Sequence, residues 1–245
     1  MKKIICNLKR YPLLYRSLKK GYEIFRPPLC QRLERILGNI DDIFFIQVGS
    51  NDGRLGDPIH RLIVSNHTWN GIFIEPVSYL FNRLKHTYDN ASRFIFENVA
   101  ISERGSEQKF FYLPELKQTS FDVPEWIDQL GSFDKGHILK HLYQFNLGFL
   151  KKYIVEDMVP CVSFSELCRR NRVKKIDLLH IDTEGYDFKI LSQVDFKKYK
   201  PIVVLFENKH LPENELVRAI HLLKKEGYKL IRVKGDHLCI RKSPR

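Results

Sequence analysis

The amino-acid sequence predicts an α/β fold in which a mostly parallel sheet carries helices on both faces. Short apolar segments typical of buried strands alternate along the chain with segments of helical period. Most of the apolar segments run directly into a polar turn. Near the end of the chain, segments 228–233 and 237–241 flank Gly235-Asp236, which predicts a terminal hairpin. Strands that alternate with helices indicate parallel pairing in the body of the sheet, because parallel strands need crossover connections.

The expected elements follow one another in a regular order. Besides the hairpin, we expect strands at residues 43–48, 69–75, 94–101, 110–113, 158–164, 176–181 and 201–206. We expect helices at residues 31–37, 57–65, 77–88, 125–130, 137–143, 163–168, 188–194 and 213–225. Asp57 and Pro58 suit the cap and the first position of the helix at 57–65. Ser163 is followed three residues later by Glu166, which is typical of a helix start.

The segment Ile43–Gly53 shows the strand-and-turn pattern most clearly. It begins as a continuous apolar run, as expected for a central strand of a parallel sheet, and ends in a turn containing Gly49, Asn51, Asp52 and Gly53. Glycine adopts backbone conformations that other residues resist, and Asn and Asp tolerate unusual φ angles. In an open α/β sheet a ligand binds just beyond such a strand end. Taken alone, the segment fits a plain strand-to-loop turn equally well.

The composition is that of a globular protein with a basic arm. The chain has 245 residues, 43% of them hydrophobic and 12% aromatic, which is enough for one large domain or two small ones. The net charge is +12, and residues 1–40, with ten Lys/Arg against two Glu, carry +8 of it. We expect residues 1–40 to be a basic helical N-terminal extension and residues 41–245 to be the main domain. Such an arm attracts nucleic acid, an anionic membrane surface or an acidic partner, and the plainer interpretation is a helical layer packed on the domain.

The cysteines and the hydropathy pattern indicate a cytoplasmic protein. The five cysteines form no CxxC pair and no zinc spacing, which is typical of reduced thiols. No segment approaches the roughly 18 consecutive apolar residues of a membrane span. The first ten residues are basic but lack the apolar core of a cleaved signal. We expect a cytoplasmic location, with the basic arm as a candidate for peripheral contact with the inner face of the membrane.

Polar clusters follow five of the expected strands. They are Gln47–Gly53, Glu75, Glu97-Asn98, Asp182–Gly185 and Glu207-Asn208. In a parallel sheet these strand ends share one edge, where ligands bind. An acid at the end of the second strand is placed to bind the hydroxyls of a ribose, in NAD or in S-adenosylmethionine. The nicotinamide fingerprint fails, because Asn51 and Arg54 occupy positions where it needs glycine.

The ordered set of strand-end motifs resembles the FkbM family of S-adenosylmethionine-dependent methyltransferases. The residues that carry the resemblance are Val48–Gly53, Phe73–Pro76, Asn98–Ser102, Ile181–Gly185 and Phe206–Asn208. They cover about residues 43–210 in the order of the family, and the Asp-Thr-Glu-Gly piece at 182–185 is the most specific. The resemblance implies a Rossmann-like class I methyltransferase, with a seven-stranded mostly parallel sheet and a reversed last strand.

The resemblance also implies S-adenosylmethionine as cofactor and assigns residues to it. Glu75 would hold the ribose diol, and Asp182 would lie near the cofactor amino group and the substrate. The full set of implied cofactor-binding residues is Gln47, Gly49, Ser50, Asn51, Asp52, Gly53, Glu75, Pro76, Asn98, Val99, Ala100 and Asp182. Gln47 departs from the pattern, since such enzymes often carry an acid there. Its carbonyl can still accept a hydrogen bond from the cofactor ammonium, but without charge assistance.

The resemblance further suggests O-methylation of a sugar, a polysaccharide or a glycosylated metabolite. A sugar hydroxyl is a poor nucleophile near neutral pH and needs a base or a metal. For the base we consider Asp182 first, Glu184 second and His210 third. His210 is also consistent with an ordinary exposed loop histidine. His180, inside an apolar segment, is better interpreted as a core histidine.

Asp182, Glu207 and Asn208 form a candidate magnesium site. They follow two neighbouring strands, and hard oxygen ligands of this kind suit Mg²⁺. A similar trio of two acids and an amide binds Mg²⁺ in catechol O-methyltransferase, which shares the general fold. Two alternatives stay open for Glu207 and Asn208: a capped strand-to-helix turn, and direct binding of substrate without a metal.

Residues 114–157 are the least periodic part of the chain and are interpreted as an insert that acts as a lid over the acceptor. Its aromatic rings could stack on sugar rings, and Gln118, Thr119 and Ser120 could bond hydroxyls. The alternative is that the rings fill a local core.

Two other functions stay open. The basic arm suggests a nucleic-acid methyltransferase, although the chain lacks an Asn/Asp-Pro-Pro-Tyr motif and nucleic acid is the less favoured partner. A non-catalytic module of an envelope glycan assembly complex, in contact with a glycosyltransferase, is the other.

Overall fold

The computed structural model describes residues 28–116 and 123–242. The expectations about the basic segment 1–27, including its contact with a membrane or a protein complex, lie outside the described residues, as do those about Gln118, Thr119 and Ser120. Helix α1, Leu29–Leu37, belongs to a unit distinct from Asp41–Arg245. It ends at Gly38, whose N–H donates to the Glu34 carbonyl at 2.7 Å, as the sequence predicts.

The other helices and strands belong to the unit that begins at Asp41. The strands are β1 Phe44–Val48, β2 Asn70–Ile74, β3 Phe94–Glu97, β4 Ala100–Ile101, β5 Ser106–Tyr112, β6 Gly131–Ser132, β7 Val155–Val162, β8 Leu178–Ile181, β9 Val203–Glu207, β10 Tyr228–Val233 and β11 Asp236–Arg241. The helices are α2 His60–Ser65, α3 Ser78–Thr87, α4 Lys135–Gln144, α5 Phe164–Arg170, α6 Asp187–Leu191 and α7 Glu213–Lys225. Two short 3₁₀ helices span Ile127–Gln129 and Gly148–Tyr153. No helix in the described ranges is both long and apolar enough to cross a membrane.

Seven strands form the main sheet in the order β10-β11-β9-β8-β1-β2-β3. Strands β3, β2, β1, β8 and β9 are parallel, and β11 pairs antiparallel with both β9 and β10. The predicted seven-stranded sheet with a reversed last strand is therefore confirmed. Lys234 and Gly235 form the two-residue turn of the terminal hairpin, and Lys234 has φ +48°, as such tight hairpin turns require.

Both faces of the main sheet are buried. On one face, sheet residues pack with residues of α5 and α7 in a single cluster that includes Ile46, Val48, Ile72, Ile74, Phe164, Leu167, Ala219 and Leu223. The opposite face carries an aromatic cluster, in which the Phe73 ring lies 5.0 Å from Phe45, 5.2 Å from Phe94 and 4.5 Å from Tyr88. Burial on both sides explains why the residues of β1 are apolar except for Gln47 and do not alternate with polar residues.

The element boundaries differ from the prediction at several ends. Helix α2 begins at His60 and not at Asp57. Asp57 instead accepts a hydrogen bond from the Ile59 N–H at 2.9 Å, which forms a turn before the helix. Ser163 caps α5 as predicted, because its Oγ accepts a hydrogen bond from the Glu166 N–H at 3.1 Å.

A second sheet, in the order β4-β7-β5-β6, was not predicted. The single strand expected at 94–101 divides at Asn98, whose side chain donates to the Glu75 and Pro76 carbonyls and ends β3. The turn around Gly105 predicts that the strand expected at 110–113 belongs to a local hairpin. Strand β5 instead pairs antiparallel with β7, from Ser106 opposite Cys161 to Tyr112 opposite Val155. A local pattern cannot reveal such a pairing, because the two strands are far apart in the chain.

The described part of the 114–157 insert has its own small core. The core residues are Leu113, Leu116, Ile127, Leu130, Ile138, Leu142, Leu147 and Leu150. Trp126 and Tyr153 pack against it, so these rings fill a local core. Tyr143, Phe145 and Phe149 behave differently and are 58%, 45% and 50% exposed. The insert therefore has an apolar interior and an aromatic outer surface, and its role as a lid stays a prediction.

Arg83 of α3 ties the insert to the main sheet. Its guanidinium donates to the Asp128 carboxylate at 2.8 Å and also pairs with Glu115. The neighbouring Tyr79 hydroxyl lies 2.7 Å from the Asp128 carbonyl and 2.9 Å from the Leu113 carbonyl, and it shares its proton between them. Residues on both sides of segment 117–122 are thus held by one turn of α3.

Replacing Arg83 with methionine is expected to lower the free energy of unfolding by about 3 kcal/mol, measured by urea denaturation at pH 7. The Asp128 side chain is only 1% exposed, so its charge would be left without a counter-ion. Arg169→Met is the matched control, because its partner Glu166 is well exposed, and a loss of less than about 1 kcal/mol is expected. Equal losses in the two variants would contradict the anchoring role of Arg83.

Candidate active site

A cleft lies at the carboxyl ends of β1, β2 and β8, with an empty volume of ≈ 550 Å³ that includes open solvent. Seven of the residues expected at the cofactor line it: Gly49, Asn51, Glu75, Pro76, Val99, Ala100 and Asp182. Gln47, Ser50, Asp52, Gly53 and Asn98 are absent from its wall. The structure thus brings the tips of four strands together at one cleft, as expected for an open α/β sheet.

Gly49, directly after β1, lies very close to the backbone of Asp182, directly after β8. Its φ is +78°, and a Cβ atom there would lie 1.8 Å from the Asp182 carbonyl oxygen. The N–H groups of Gly49 and Ser50 both donate to the Ile74 carbonyl at 3.0 Å, which fixes the turn against β2. Only glycine fits this position without moving the strand that carries Asp182.

The residues outside the cleft wall shape the turn that follows β1. Ser50 Oγ donates to the Gln47 carbonyl and accepts from the Ile74 N–H. Asp52 accepts hydrogen bonds from the N–H groups of Arg54 and Leu55. Gly53, with φ +70°, is packed against Leu84 and Tyr88. Their contacts in this structure are with the protein's own backbone and side chains.

Gln47 faces Asp57. Burial raises the pKa of Asp57 to about 6, and hydrogen bonds from the Ile59 N–H and the Gln47 side chain partly offset this. The side-chain oxygen of Gln47, Oε1, is buried without a hydrogen-bond partner in the described structure. Its predicted role toward the cofactor ammonium therefore stays a prediction.

Glu75 is the acid that the sequence places at the ribose. Its side chain is buried, and its two carboxylate oxygens accept hydrogen bonds from the N–H groups of Asn51 and Val77, each at 2.9 Å. Burial nevertheless raises the pKa of Glu75 to about 7. Each oxygen still has a second acceptor position, which suits a vicinal diol.

The affinity for S-adenosylmethionine is expected to fall as the pH is lowered through about 7, because protonated Glu75 accepts one diol hydrogen bond less. Isothermal titration of wild type and Glu75→Gln from pH 6 to 8 tests this. The variant should bind about tenfold more weakly at pH 8 and approach wild type at pH 6. Glu213→Gln on α7 is the surface control, and a constant affinity ratio between wild type and Glu75→Gln would contradict the role of Glu75.

The turn after β8 carries an unusual concentration of acids. Burial, together with the charges of Glu184 and Asp187, holds the pKa of Asp182 well above its usual range. Thr183 donates its hydroxyl proton to Asp187 at 3.0 Å, and burial raises the pKa of Asp187 to about 7. Glu184 has φ +53° and Gly185 has φ +102°, so the turn is tightly wound. A positive charge nearby would stabilise the ionised forms of these crowded acids, so the Asp182 end of the cleft is suited to a cationic ligand.

Glu184 meets histidines from two other parts of the chain. His137 of α4 hydrogen-bonds to it through Nε2 at 2.9 Å, and His210 Nε2 lies 3.4 Å from the same oxygen. Burial opposes ionisation of Glu184, but the hydrogen bond with His137 and the electrostatic effect of the three nearby histidines together outweigh it and lower the pKa of Glu184. Burial lowers the pKa of His210 to about 4, so this histidine is neutral at pH 7 and is not an exposed loop residue.

The sequence-based reasoning selected Glu184 and His210 but missed His137 and His141. The two missed histidines lie one turn apart on α4, and the rings of His141 and His210 are 4.4 Å apart. The signal that could have found them is the i, i+4 spacing of two histidines on a helical face. His180, in contrast, is buried in β8, and burial lowers its pKa to about 4.

The expected magnesium residues lie beside this cluster. Burial and the charge of Asp182 raise the pKa of Glu207 to about 10. One Glu207 oxygen is 3.4 Å from His210 Nε2, while the other and the Asn208 side-chain nitrogen are buried without hydrogen-bond partners in the described structure. The Asn208 N–H donates to the Gly235 carbonyl, which bonds it to the hairpin turn. Magnesium binding by Asp182, Glu207 and Asn208 stays a prediction.

The family model for the methyltransferase FkbM domain matches residues 47–230 of the chain. This protein belongs to the FkbM methyltransferase family. The FkbM methyltransferase of Methylobacillus flagellatus KT, a solved structure, has the same fold at TM-score 0.53 and 12% identity. The comparison covers 90% of this chain and 50% of that one, so the chain spans half the length of this relative.

Other methyltransferase structures are similar at lower scores. An S-adenosylmethionine-dependent O-methyltransferase of Thermotoga maritima has TM-score 0.42 and 7% identity, with 89% of this chain and 66% of that chain covered. A precorrin-6y C5,15-methyltransferase of Geobacter metallireducens GS-15 has TM-score 0.41 and 11% identity, with 86% and 85% covered. A search of curated proteins found no match.

The FkbM family and its class I methyltransferase fold imply S-adenosylmethionine as the methyl donor. The cleft fits this cofactor. Glu75 offers acceptor positions to a ribose diol, apolar Val99 and Ala100 line the wall, and the acid-rich turn at Asp182 suits a sulfonium or an ammonium. Gly49 keeps these elements close enough to contact one ligand.

Proposed function

We propose that this FkbM methyltransferase transfers a methyl group from S-adenosylmethionine to a hydroxyl of a sugar, a polysaccharide or a glycosylated metabolite. The observation that carries the proposal is the contact of Glu184 with His137 and His210 at the wall of the cofactor cleft. A hydroxyl must lose its proton as it is methylated, and a buried carboxylate–imidazole group can accept that proton.

The cleft wall also supports a sugar acceptor. Phe110, Phe133 and Tyr186 line it, with the Phe133 and Tyr186 rings 4.9 Å apart. Aromatic faces of this kind pack against the apolar faces of sugar rings. The exposed rings of Tyr143, Phe145 and Phe149 offer more such surface on the insert. An acceptor longer than one sugar could contact both groups of rings.

The positions of the residues around the cleft indicate the role of each in the reaction. S-adenosylmethionine supplies an activated methyl group on a positively charged sulfur. Gly49, Asn51 and Glu75 bind and orient its nucleoside and amino-acid parts from β1 and β2. Asp182 borders the cationic end, and Glu184, oriented by its contacts with His137 and His210, receives the proton of the acceptor. Since displacement at a methyl carbon requires alignment of donor and acceptor, most of the catalytic effect comes from positioning.

Two measurements test the proposal in sequence. Thermal-shift assays with S-adenosylmethionine and S-adenosylhomocysteine test the cofactor, and a raised melting temperature with both is expected. Mass spectrometry of glycans from the source organism, with and without the gene, tests the acceptor. The deletion should remove the mass of one methylene group per modified unit. Loss of methylation on nucleic acid alone would contradict the proposal.

A further inference from the structure

Four side chains with metal-binding atoms converge beside the cofactor cleft. They are His137 and His141 of α4, Glu184 of the turn after β8, and His210 of the loop after β9, here called the histidine cluster. One ligand atom from each lies within 4.8 Å of the ligand atoms of the other three. The three imidazole rings are 4.4 to 5.0 Å apart.

The histidine cluster is built into the protein interior. His141 is only 4% exposed, and its Nδ1 atom has no hydrogen-bond partner in the described structure. His137, Glu184 and His210 are largely buried as well. Buried polar atoms are normally paired, so an orphaned imidazole nitrogen among three other ligands indicates an absent partner.

The positions of the ligands are set by the backbone. Asp134 caps α4 by accepting a hydrogen bond from the Gly136 N–H at 2.8 Å, which begins the helix immediately before the two histidines. Residues four apart on a helix share one face, so His137 and His141 point in the same direction. The left-handed backbone of Glu184 and the close approach of Gly185 to the His210 carbonyl bring the other two ligands to that face.

We propose that His137, His141, Glu184 and His210 bind one divalent transition-metal ion, with zinc as the best match. Three imidazoles and one carboxylate suit zinc and its transition-metal neighbours, whereas magnesium prefers oxygen ligands alone. Tetrahedral zinc with bonds of about 2.0 Å separates its ligand atoms by about 3.3 Å. In the structure, Glu184 Oε2 lies 2.9 Å from His137 Nε2 and 3.4 Å from His210 Nε2, and both separations are close to this value.

The ion would connect the insert to the catalytic edge of the sheet. Two ligands come from the insert helix and two from loops that follow β8 and β9. Glu184 also lines the cofactor cleft, so the ion would lie next to the position of the acceptor. With four protein ligands the ion would hold the insert helix beside the acceptor, and the second oxygen of Glu184 would stay available for the acceptor proton, a role that rests on the proposed function. The metal site itself does not depend on that function.

Metal binding can be measured without any substrate. Untagged full-length protein is dialysed against a chelator and then titrated with Zn²⁺ alone by calorimetry. One equivalent should bind with a dissociation constant below about 1 μM, since four buried ligands make a structural-type site. His137→Ala and His141→Ala should each weaken binding at least about 100-fold. His86→Ala and His221→Ala, outside the cluster, are the matched controls and should bind as wild type does.

A cobalt spectrum identifies the ligands. Co²⁺ in the wild-type site should give the visible absorption bands of a tetrahedral nitrogen and oxygen environment, and these should vanish in His137→Ala. Circular dichroism verifies the fold of each variant, and His210→Ala replaces any variant that does not fold. Cobalt–thiolate absorption, equal binding by the cluster variants and wild type, or no stoichiometric zinc binding would each overturn the metal site. A protein that binds zinc but not S-adenosylmethionine would refute only the proposed function, and the reverse result only the metal site.

Discussion

Replacing Gly49 with alanine is expected to lower the free energy of unfolding by at least about 3 kcal/mol and to abolish binding of S-adenosylmethionine. An added Cβ would lie 1.8 Å from the Asp182 carbonyl oxygen, far inside van der Waals contact. Neither strand can yield easily, because the Asp182 N–H donates to the Val48 carbonyl and the Gly49 N–H to the Ile74 carbonyl. Urea denaturation gives the stability, and calorimetry gives the cofactor affinity.

Gly56→Ala is the control that separates the steric clash from the backbone conformation. Gly56 has φ +74°, almost the same as Gly49, but no atom lies within 4 Å of the position that a Cβ atom would take there. Alanine at position 56 should cost only the about 1 kcal/mol of a left-handed conformation. If the two variants lose similar stability, the close approach of β1 and β8 is not what requires glycine at position 49.

Replacing Glu184 with glutamine is expected to slow methyl transfer at least about 100-fold while leaving the affinity for S-adenosylmethionine within about threefold of wild type. The amide is nearly isosteric but is neutral, so it neither accepts the acceptor proton nor holds a cation as a carboxylate does. The reduced rate should appear in kcat, because Glu184 contacts His137 and His210 and not Glu75, the residue expected to bind the ribose.

The Glu184 measurement uses complementation. Wild type, Glu184→Gln and the surface control Glu215→Gln are returned to a strain lacking the gene, and methylation of its glycans is followed over time by mass spectrometry. The control should restore methylation fully, and Glu184→Gln should restore little. Full restoration of methylation by Glu184→Gln, at matched protein levels, would show that Glu184 is not a catalytic residue.

Much of the fold could be predicted because many of its elements depend only on residues that are close together in the sequence. The apolar run of β1, the glycine turn after it and the Gly235 hairpin depend on neighbouring residues, and the structure has each of them. The second sheet could not be predicted in this way. Its β5 strand looks like half of a local hairpin, yet its partner β7 begins only at Val155, near the end of the insert. Pairing at that distance depends on the packing of the insert and not on a turn.

The candidate site likewise has a part that could be predicted from the sequence and a part that could not. The parallel sheet brings strand ends to one edge by its geometry, so motifs at Gly49, Glu75 and Asp182 could be placed at one cleft in advance. Ser50, Asp52 and Asn98 carry similar motif residues, but their side chains bond to nearby backbone. Sequence position alone cannot distinguish a residue that lines a cleft from one that braces the loop behind it.

By itself the sequence determined the main sheet, the order of its strand-end motifs and the membership of the FkbM methyltransferase family. Hydrophobic periodicity, glycine turns and charged residues indicate these features because each is a local property of a few neighbouring residues. The tertiary structure alone decided that His137 and His141 of the insert face Glu184 and His210. Their meeting requires α4 to pack back onto the ends of β8 and β9. That packing depends on the apolar surface buried across the whole domain, so it cannot be predicted from any single segment of the sequence.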